Sequence, residues 1–339
     1  MIKFLQAGLT GVTTVYLWVK TVLLARSTLG ARFWQRLTGL RYGFTPNEYA
    51  LFDLRHNDPT QYIPWGVMIK RRTLNAPFTG LLNDVVVCHE AIGQRLPTQQ
   101  VLACIGPAGQ LRSHRPDVAG GVLSLLEDAD LGLKWGQYGD LSGGDHPGWL
   151  LQDREGQLLL NGQPVSRAQV ESWLRRLDGY CIVEQVTARP LVSGNARPIV
   201  GEFEITMVAD EQTGALVTCA AVLRLGEPYG ADRLVAGIDV ATGALTATRS
   251  LRSSRPADAA VGGPTAGLVV PHWAAIRQAA EAVPVALPFF KLVTVRGVWA
   301  AQGFTVTGAS AHADTISLQL SGGLAHSALG KLLGCHHER

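Results

Sequence analysis

Apolar positions Leu5, Leu9, Val12, Tyr16, Val19 and Leu23 recur at helical spacing near the start of the chain and predict a one-sided helix. Phe4 to Val19 carries no charge, yet Gln6, Thr10, Thr13 and Thr14 interrupt it, and Lys20 follows. A membrane span needs about 20 clean apolar residues. The expected role is therefore packing on the protein's own surface, with peripheral membrane contact or a secretory signal as the other readings. The basic followers Arg26, Arg32, Arg36 and Arg41 suit a membrane surface as well. Helical character is expected from residue 1 to about residue 60. Within that stretch Thr45-Pro46-Asn47-Glu48 marks a helix start, with Thr45 as cap, Pro46 at the first helical position and Glu48 closing a capping box.

Beyond it the pattern shortens. Asn75 to Arg95 reads as a loop followed by a helix, and Leu96-Pro97-Thr98 breaks it before the apolar run VLACI, a strand. From Leu123 onward short apolar runs alternate with glycine. Gly132-Leu133-Lys134-Trp135 leads into the glycine-rich GQYGDLSGGDHPG. Trp149 to Leu160 predicts a hairpin around Asp153-Arg154-Glu155-Gly156, Val165 to Leu177 a helix capped by Ser166, and Gly179 to Gln185 a buried strand. Gly201 to Ala209 should pair with Ala215 to Leu225, and Leu234 to Asp239 with Ala244 to Thr248. Pro271 to Ala282 reads as an amphipathic helix, with Phe289 to Val298 and Phe304 to Thr307 as the last strands. No internal repeat emerges. The order describes an α+β clamp able to hold a nucleotide between two sheets.

Composition narrows the function classes. The 339 residues are 47% hydrophobic and only 17% charged, enough to fill the cores of two or three lobes. A net charge of +3, dispersed and without aromatics interleaved in a basic run, argues against nucleic acid. Acidic small molecules stay compatible. Five cysteines without a CxxC pair read as thiols in a reducing, cytoplasmic compartment, and Cys335-His336-His337 as a frayed tail rather than a zinc site.

Two features point to a nucleotide. Lys134 followed by a loop containing Gly143 and Gly144 has the makings of a phosphate site, since glycines let backbone N–H groups approach phosphate oxygens beside a mobile cation. The GxxxxGK[ST] order of a P-loop is absent, and a glycine-rich hairpin beside a surface lysine is the bland alternative. Val183-Glu184 ends a buried strand, where backbone groups can meet an adenine edge and the carboxylate can accept from ribose hydroxyls. A solvated glutamate at a strand end is the plain alternative. Joined, the two features require Lys134 and Glu184 to converge on one cleft.

In this order they resemble the ATP-grasp superfamily, and within it the sugar-transfer-associated group related to the α-L-glutamate ligases. The resemblance is carried by Tyr42 to Leu54, Leu74-Asn75, Leu81-Leu82-Asn83-Asp84, Leu96-Pro97-Thr98, Gly132-Leu133-Lys134, Val183-Glu184-Gln185, Leu223-Arg224-Leu225-Gly226, Asp239 with Thr242-Gly243, and Val270-Pro271-His272-Trp273. It implies an ATP-grasp fold of two α+β lobes clamping ATP, preceded by an N-terminal helical segment. The corresponding division is a helical segment over 1–70, a small α/β subdomain over 71–125, a nucleotide-binding domain over 126–325 and a tail over 326–339. It also implies carboxylate activation and ligation to an amine, with a small acidic substrate and a place in polysaccharide or envelope synthesis.

The departures concern the metal. Val85 stands where the family places a phosphate-reaching lysine, and Gly201-Glu202-Phe203-Glu204 replaces its asparagine-threonine-x-arginine segment. Gly297-Val298-Trp299-Ala300 and Thr307-Gly308-Ala309-Ser310 replace its carboxylate ligands to Mg2+. Magnesium needs hard oxygen donors, so the replacements to consider are His312 with Asp314, and Glu202 or Glu204. An HxD turn equally suits a capping aspartate. Three readings follow: an ATP-dependent ligase with a rearranged metal site, a degenerate ATP-grasp protein that binds nucleotide or serves as a scaffold, and a membrane-peripheral interaction protein.

Overall fold

The computed structural model describes residues 29, 39, 41–71, 73–106, 110–113, 131–135, 149–154, 156–177, 180–184, 186–190, 200–225, 234–251, 253–256, 264–283 and 289–335. The expected N-terminal helix over residues 4–23, the loop bearing Gly143 and Gly144, and His336-His337 lie outside them. Among the described residues, no helix is long and apolar enough to cross a membrane.

Two antiparallel sheets organise the α+β chain. The first joins β1 (Val101–Ile105), β2 (Leu111–Ser113), β3 (Leu131–Trp135), β4 (Trp149–Arg154), β5 (Gln157–Leu160), β6 (Gln163–Pro164) and β7 (Tyr180–Glu184) in the order β2-β1-β7-β3-β4-β5-β6. The second joins β8 (Gly201–Ala209), β9 (Leu216–Leu225), β10 (Leu234–Ile238), β11 (Arg249–Ser250), β12 (Ser253–Pro256), β13 (Leu292–Ala300) and β14 (Gly303–Ser310) in the order β12-β11-β10-β9-β8-β13-β14. The α-helices are α1 (Pro46–Leu51), α2 (Trp65–Lys70), α3 (Thr79–Asn83), α4 (Val85–Gly93), α5 (Arg167–Leu174), α6 (Trp273–Ala282), α7 (Thr315–Gln319) and α8 (Ala328–Leu333).

The second sheet is covered on both faces, so its strands read as nearly unbroken apolar runs. One face, with Phe203, Ile205, Leu223, Val293 and Val295, packs against Trp273 and Ile276 of α6 and Cys88 and Ile92 of α4. The other, with Val208, Val222, Val235 and Leu292, packs against Phe44, Tyr49, Phe52 and Ile63 and against Leu318 and Leu329. The first sheet buries Ala103, Ile105, Leu151 and Ile182 under Val170 and Leu174 of α5. The two ladders meet through Pro97–Gln100, at the edge strand β14 of the second sheet and at β7 of the first. Val306 N–H donates to the Pro97 carbonyl and Gln99 N–H to the Val306 carbonyl, whereas Glu184 N–H donates to the Gln100 carbonyl.

Most of the expected elements are present. The capping box at Thr45 forms in both directions, and Ser166 caps α5 with Gln169 as its box partner. The hairpins β4–β5 and β8–β9 sit at the expected residues. Other readings need correction. Helix does not continue to residue 60: α1 ends at Leu51, where Asn57 Nδ2 donates to the Phe52 carbonyl at 2.7 Å and Asp53 takes φ +47°. Ala244 to Thr248 meets the end of β10 without forming a full strand: Asp239 N–H donates to the Ala244 carbonyl and Thr246 N–H to the Gly237 carbonyl, with bridges at Ile238↔Leu245 and Ala244↔Val269, while the Thr246 hydroxyl oxygen accepts the Gly237 N–H; β11 extends the ladder on β10. The expected tail contains α8, whose Leu329 and Leu333 are buried in the core. The boundary near residue 125 does not separate sheets, since β1 and β2 share theirs with β3–β7.

Buried polar side chains fasten the ends of the chain to this frame. Asn75 accepts from Lys291 and Leu292 N–H and donates to the Leu292 and Ala311 carbonyls. Gln319 accepts from Ile63 N–H at 2.6 Å and donates back to the Ile63 carbonyl at 3.0 Å. Glu48 is fully buried and accepts from Thr45 N–H at 2.7 Å and Trp65 N–H at 3.0 Å.

Burial pushes the Glu48 carboxyl from its ordinary 4.5 up to about 7, against the hydrogen bonds from Thr45 and Trp65. A carboxyl raised in the folded state stabilises the fold below its unfolded pKa, and that contribution fades as pH rises through the folded one. Between pH 4.5 and 7 the protein should lose on the order of 3 kcal/mol relative to Glu48→Gln, read from urea midpoints. Any offset from the amide itself does not vary with pH, so parallel stability curves would contradict the assignment.

Candidate functional site

The second sheet's α1-facing side changes character toward one end. Along β8 the alternation puts Glu202, Glu204 and Thr206 on one face, and the register sets Arg224 opposite Glu202, Arg296 opposite Glu204 and Thr294 opposite Thr206. A polar strip therefore crosses β9, β8 and β13 beside an apolar floor. At β14 a bulge leaves Thr307 as the extra residue between Gly308, opposite Arg296, and Val306, opposite Gly297. Bulges re-aim side chains, and the Thr307 hydroxyl donates to the Glu202 carboxylate in a short contact. The bulge depends on Gly297, where a Cβ would fall within 2.7 Å of the Phe304 ring and the Thr305 carbonyl.

Arg224 is the hub. Its Nε donates to Glu204 Oε2 at 2.8 Å, and its Nη2 lies 2.7 Å from the same oxygen and donates to Asp314 Oδ2 at 2.7 Å. Asp314 caps α7, its Oδ1 accepting from Ile316 and Ser317 N–H, while its Oδ2 also accepts from the Ser317 hydroxyl at 2.7 Å. Arg296 flanks the pair, with its Nε 3.7 Å from Glu204 Oε2 and its side chain 27% exposed. Glu204 is fully buried, and its Oε1, like Arg296 Nε, has no hydrogen-bond partner among the described residues.

The two carboxyls respond to burial in opposite directions. Burial raises Glu204, and the charges of Arg224 and Arg296 only partly counter it. Burial would raise Asp314 too, but Arg224, the Ser317 hydrogen bonds and Arg296 together hold it below the ordinary carboxylate range. The physical difference is the number of donors. Asp314 has four hydrogen bonds and Glu204 has an unmatched oxygen, so a proton entering this cluster settles on Glu204 Oε1. Burial lowers His312, which favours its neutral imidazole.

The expected site residues fall differently from the sequence reading. Lys134 lies on β3 opposite Cys181, while Glu184 on β7 lies opposite Leu131. The two positions are three rungs apart on neighbouring strands. Val183 is buried. Asp314 is the capping aspartate of the HxD turn, with both oxygens already engaged. Among the described residues, no group of three or more His, Cys, Asp or Glu is placed to hold a metal ion. The donor set at the strip does not fit Mg2+, because its best-placed carboxylates face guanidinium groups.

The residues that do assemble, Glu204, Arg224 and Arg296, had a sequence signal of a different kind. Each is a charge embedded in an apolar strand, in GEFEITMVA, LVTCAAVLRL and LVTVRGVWA. An isolated charge inside such a run requires a partner on a neighbouring strand.

No family model matches the chain, and no curated protein matches it either. Among solved structures it is similar to the L-amino acid ligase from Bacillus licheniformis, at 9% identity over 74% of this chain and 42% of that one, with a TM-score of 0.36. It is also similar to the VanG D-Ala:D-Ser ligase from Enterococcus faecalis, at 12% identity over 75% and 62%, TM-score 0.39. A third is the D-alanine–D-alanine ligase from Bacillus anthracis complexed with ATP, at 10% identity over 78% and 69%, TM-score 0.37. The chain spans less than half the length of the first of these and less than two thirds of the second.

Arg224→Met should lower the unfolding free energy by about 3–5 kcal/mol, because it leaves two buried carboxyls without their cation. Adding Glu204→Leu should restore part of that loss, measured by the same denaturant titration. Additive losses in the double variant would show that the pair is not coupled.

Proposed function

We propose that the protein is a nucleotide-binding protein of ATP-grasp type, in which arginines rather than a divalent cation balance charge at the site, and that it binds without turnover. The observation that carries this reading is the commitment of the buried carboxylates of the strip. Asp314 is saturated by Arg224, Ser317 and the α7 backbone, and Glu204 by Arg224 on one oxygen. Transfer of a phosphoryl group relies on metal ions that neutralise charge developing on its oxygens. Guanidinium groups fixed by carboxylates can hold phosphate oxygens by charge-assisted hydrogen bonds, but they do not replace a mobile metal bridging two phosphates.

The unmatched atoms describe the ligand. Arg296 Nε needs an acceptor, which a phosphate oxygen supplies, and Glu204 Oε1 needs a donor, which a sugar hydroxyl supplies. A nucleotide carries both. On this reading the Lys134 position and Val183 of the first sheet, with Gly143 and Gly144 of the sequence between β3 and β4, are further candidates for nucleotide contact, and Glu184 is not required. A second reading, an active carboxylate–amine ligase, draws on Glu202 and Glu204, two carboxylates at alternate positions of one strand. It requires Mg2+ to displace Thr307 and an arginine from them.

Thermal unfolding with ATP separates the two. ATP should raise the midpoint equally with Mg2+ or with EDTA, by roughly 3 kcal/mol of apparent stability at a hundredfold excess over Kd. Arg296→Ala should abolish the shift, and no ADP or phosphate should be released with carboxylate and amine substrates. A shift seen only with Mg2+, accompanied by ADP release, would establish the ligase. Absence of any shift would remove both nucleotide readings.

A further inference from the structure

Outside the polar strip, the first sheet holds two thiols in direct contact. Cys104 on β1 and Cys181 on β7 are cross-strand partners, and their sulfurs lie 3.4 Å apart. Both are thiols in the structure. Cys181 is buried at 3% exposure and Cys104 is half-buried, so one sulfur is shielded and the other is open to a small reagent. The next rung of the same row, on β3, is the Lys134 position. Of the other cysteines, Cys88 lies on α4, Cys219 donates its S–H to the Thr206 carbonyl, and Cys335 follows α8.

We propose that Cys104 and Cys181 form a reversible oxidation site, closed to a disulfide by hydrogen peroxide. The Cys104 sulfur attacks one peroxide oxygen, the O–O bond breaks, and Cys104 becomes a sulfenic acid with release of one water. The Cys181 sulfur then displaces the hydroxyl from Cys104, losing its proton to it, so the S–S bond forms and a second water leaves. Two thiols give up two electrons and two protons, and the peroxide takes them. The order of the steps follows the geometry, because only Cys104 is reachable and only Cys181 lies within reach of the oxidised sulfur. The hydrogen bond with Cys104, followed by burial, pushes the Cys181 thiol far above its usual range, consistent with Cys181 acting second. Opposed positions on neighbouring antiparallel strands have Cβ atoms about 4.5–5.5 Å apart, at or just beyond the separation of a disulfide, so closure draws the two side chains together across one rung of the ladder. The bridge would tie β1 to β7 across a sequence separation of 77 residues.

The test uses the full chain, treated with hydrogen peroxide, alkylated without reduction, digested and read by mass spectrometry. The expected product is a peptide pair joined through Cys104 and Cys181, lighter by two hydrogens than the separate peptides and separated again by dithiothreitol. In Cys181→Ser, Cys104 should stop at the sulfenic acid and be captured by a 1,3-dione. Recovery of both cysteines in alkylated form after peroxide, or of Cys104 only as sulfinic acid while Cys181 stays alkylated, would overturn the proposal. The cross-link in the unmodified chain decides the matter by itself if the serine variant does not fold.

Discussion

The C-terminal half of the molecule depends on one guanidinium. Arg224 sits in a strand whose neighbours are almost all apolar, and it holds Glu204 across the sheet while it holds Asp314 at the head of α7. Strand pairing alone fixes β8 and β9 against each other, but it says nothing about where the segment after β14 must lie. The Arg224–Asp314 contact supplies that information. With α7 anchored, Gln319 at its end reaches Ile63, and the N-terminal segment is fastened to the same face.

Such an arrangement is costly to assemble, since burying charge is favourable only when every group finds its complement. Asp314 meets that condition in full. Glu204 does not, and its unmatched oxygen sits beside an equally unmatched Arg296 Nε. These two incomplete groups, an acceptor and a donor on neighbouring strands, are what the proposed nucleotide site rests on. Burial of Glu48 extends the cluster under α1, where its carboxyl is also raised, partly by Asp314. Protonation and occupancy of this interior are therefore linked.

Local grammar was readable along the chain. The Thr45 and Ser166 capping boxes, the turn glycine at Gly156 and the hairpin over 210–214 each depend on residues a few positions apart, and the structure has them where the residues stand. The site was harder to read because it is made across strands. Glu204, Arg224 and Arg296 are joined only by register, and Thr307 faces Glu202 only because the β14 ladder is bulged by one residue. On β3 and β7 the ladder sets Lys134 opposite Cys181 and Glu184 opposite Leu131, a relation that neither stretch of sequence contains by itself.

The passage from one sheet to the other has a mechanical consequence. Gln99 is bonded to β14 through its N–H, and Gln100 is bonded to β7 through its carbonyl, so the two ladders are joined at this point by consecutive residues with no slack between them. A lobe cannot swing about this link as it would about a flexible linker. Displacement of one ladder against the other would load the torsions of Gln99 and Gln100, next to a Gln99 side-chain oxygen that is buried and has no hydrogen-bond partner among the described residues.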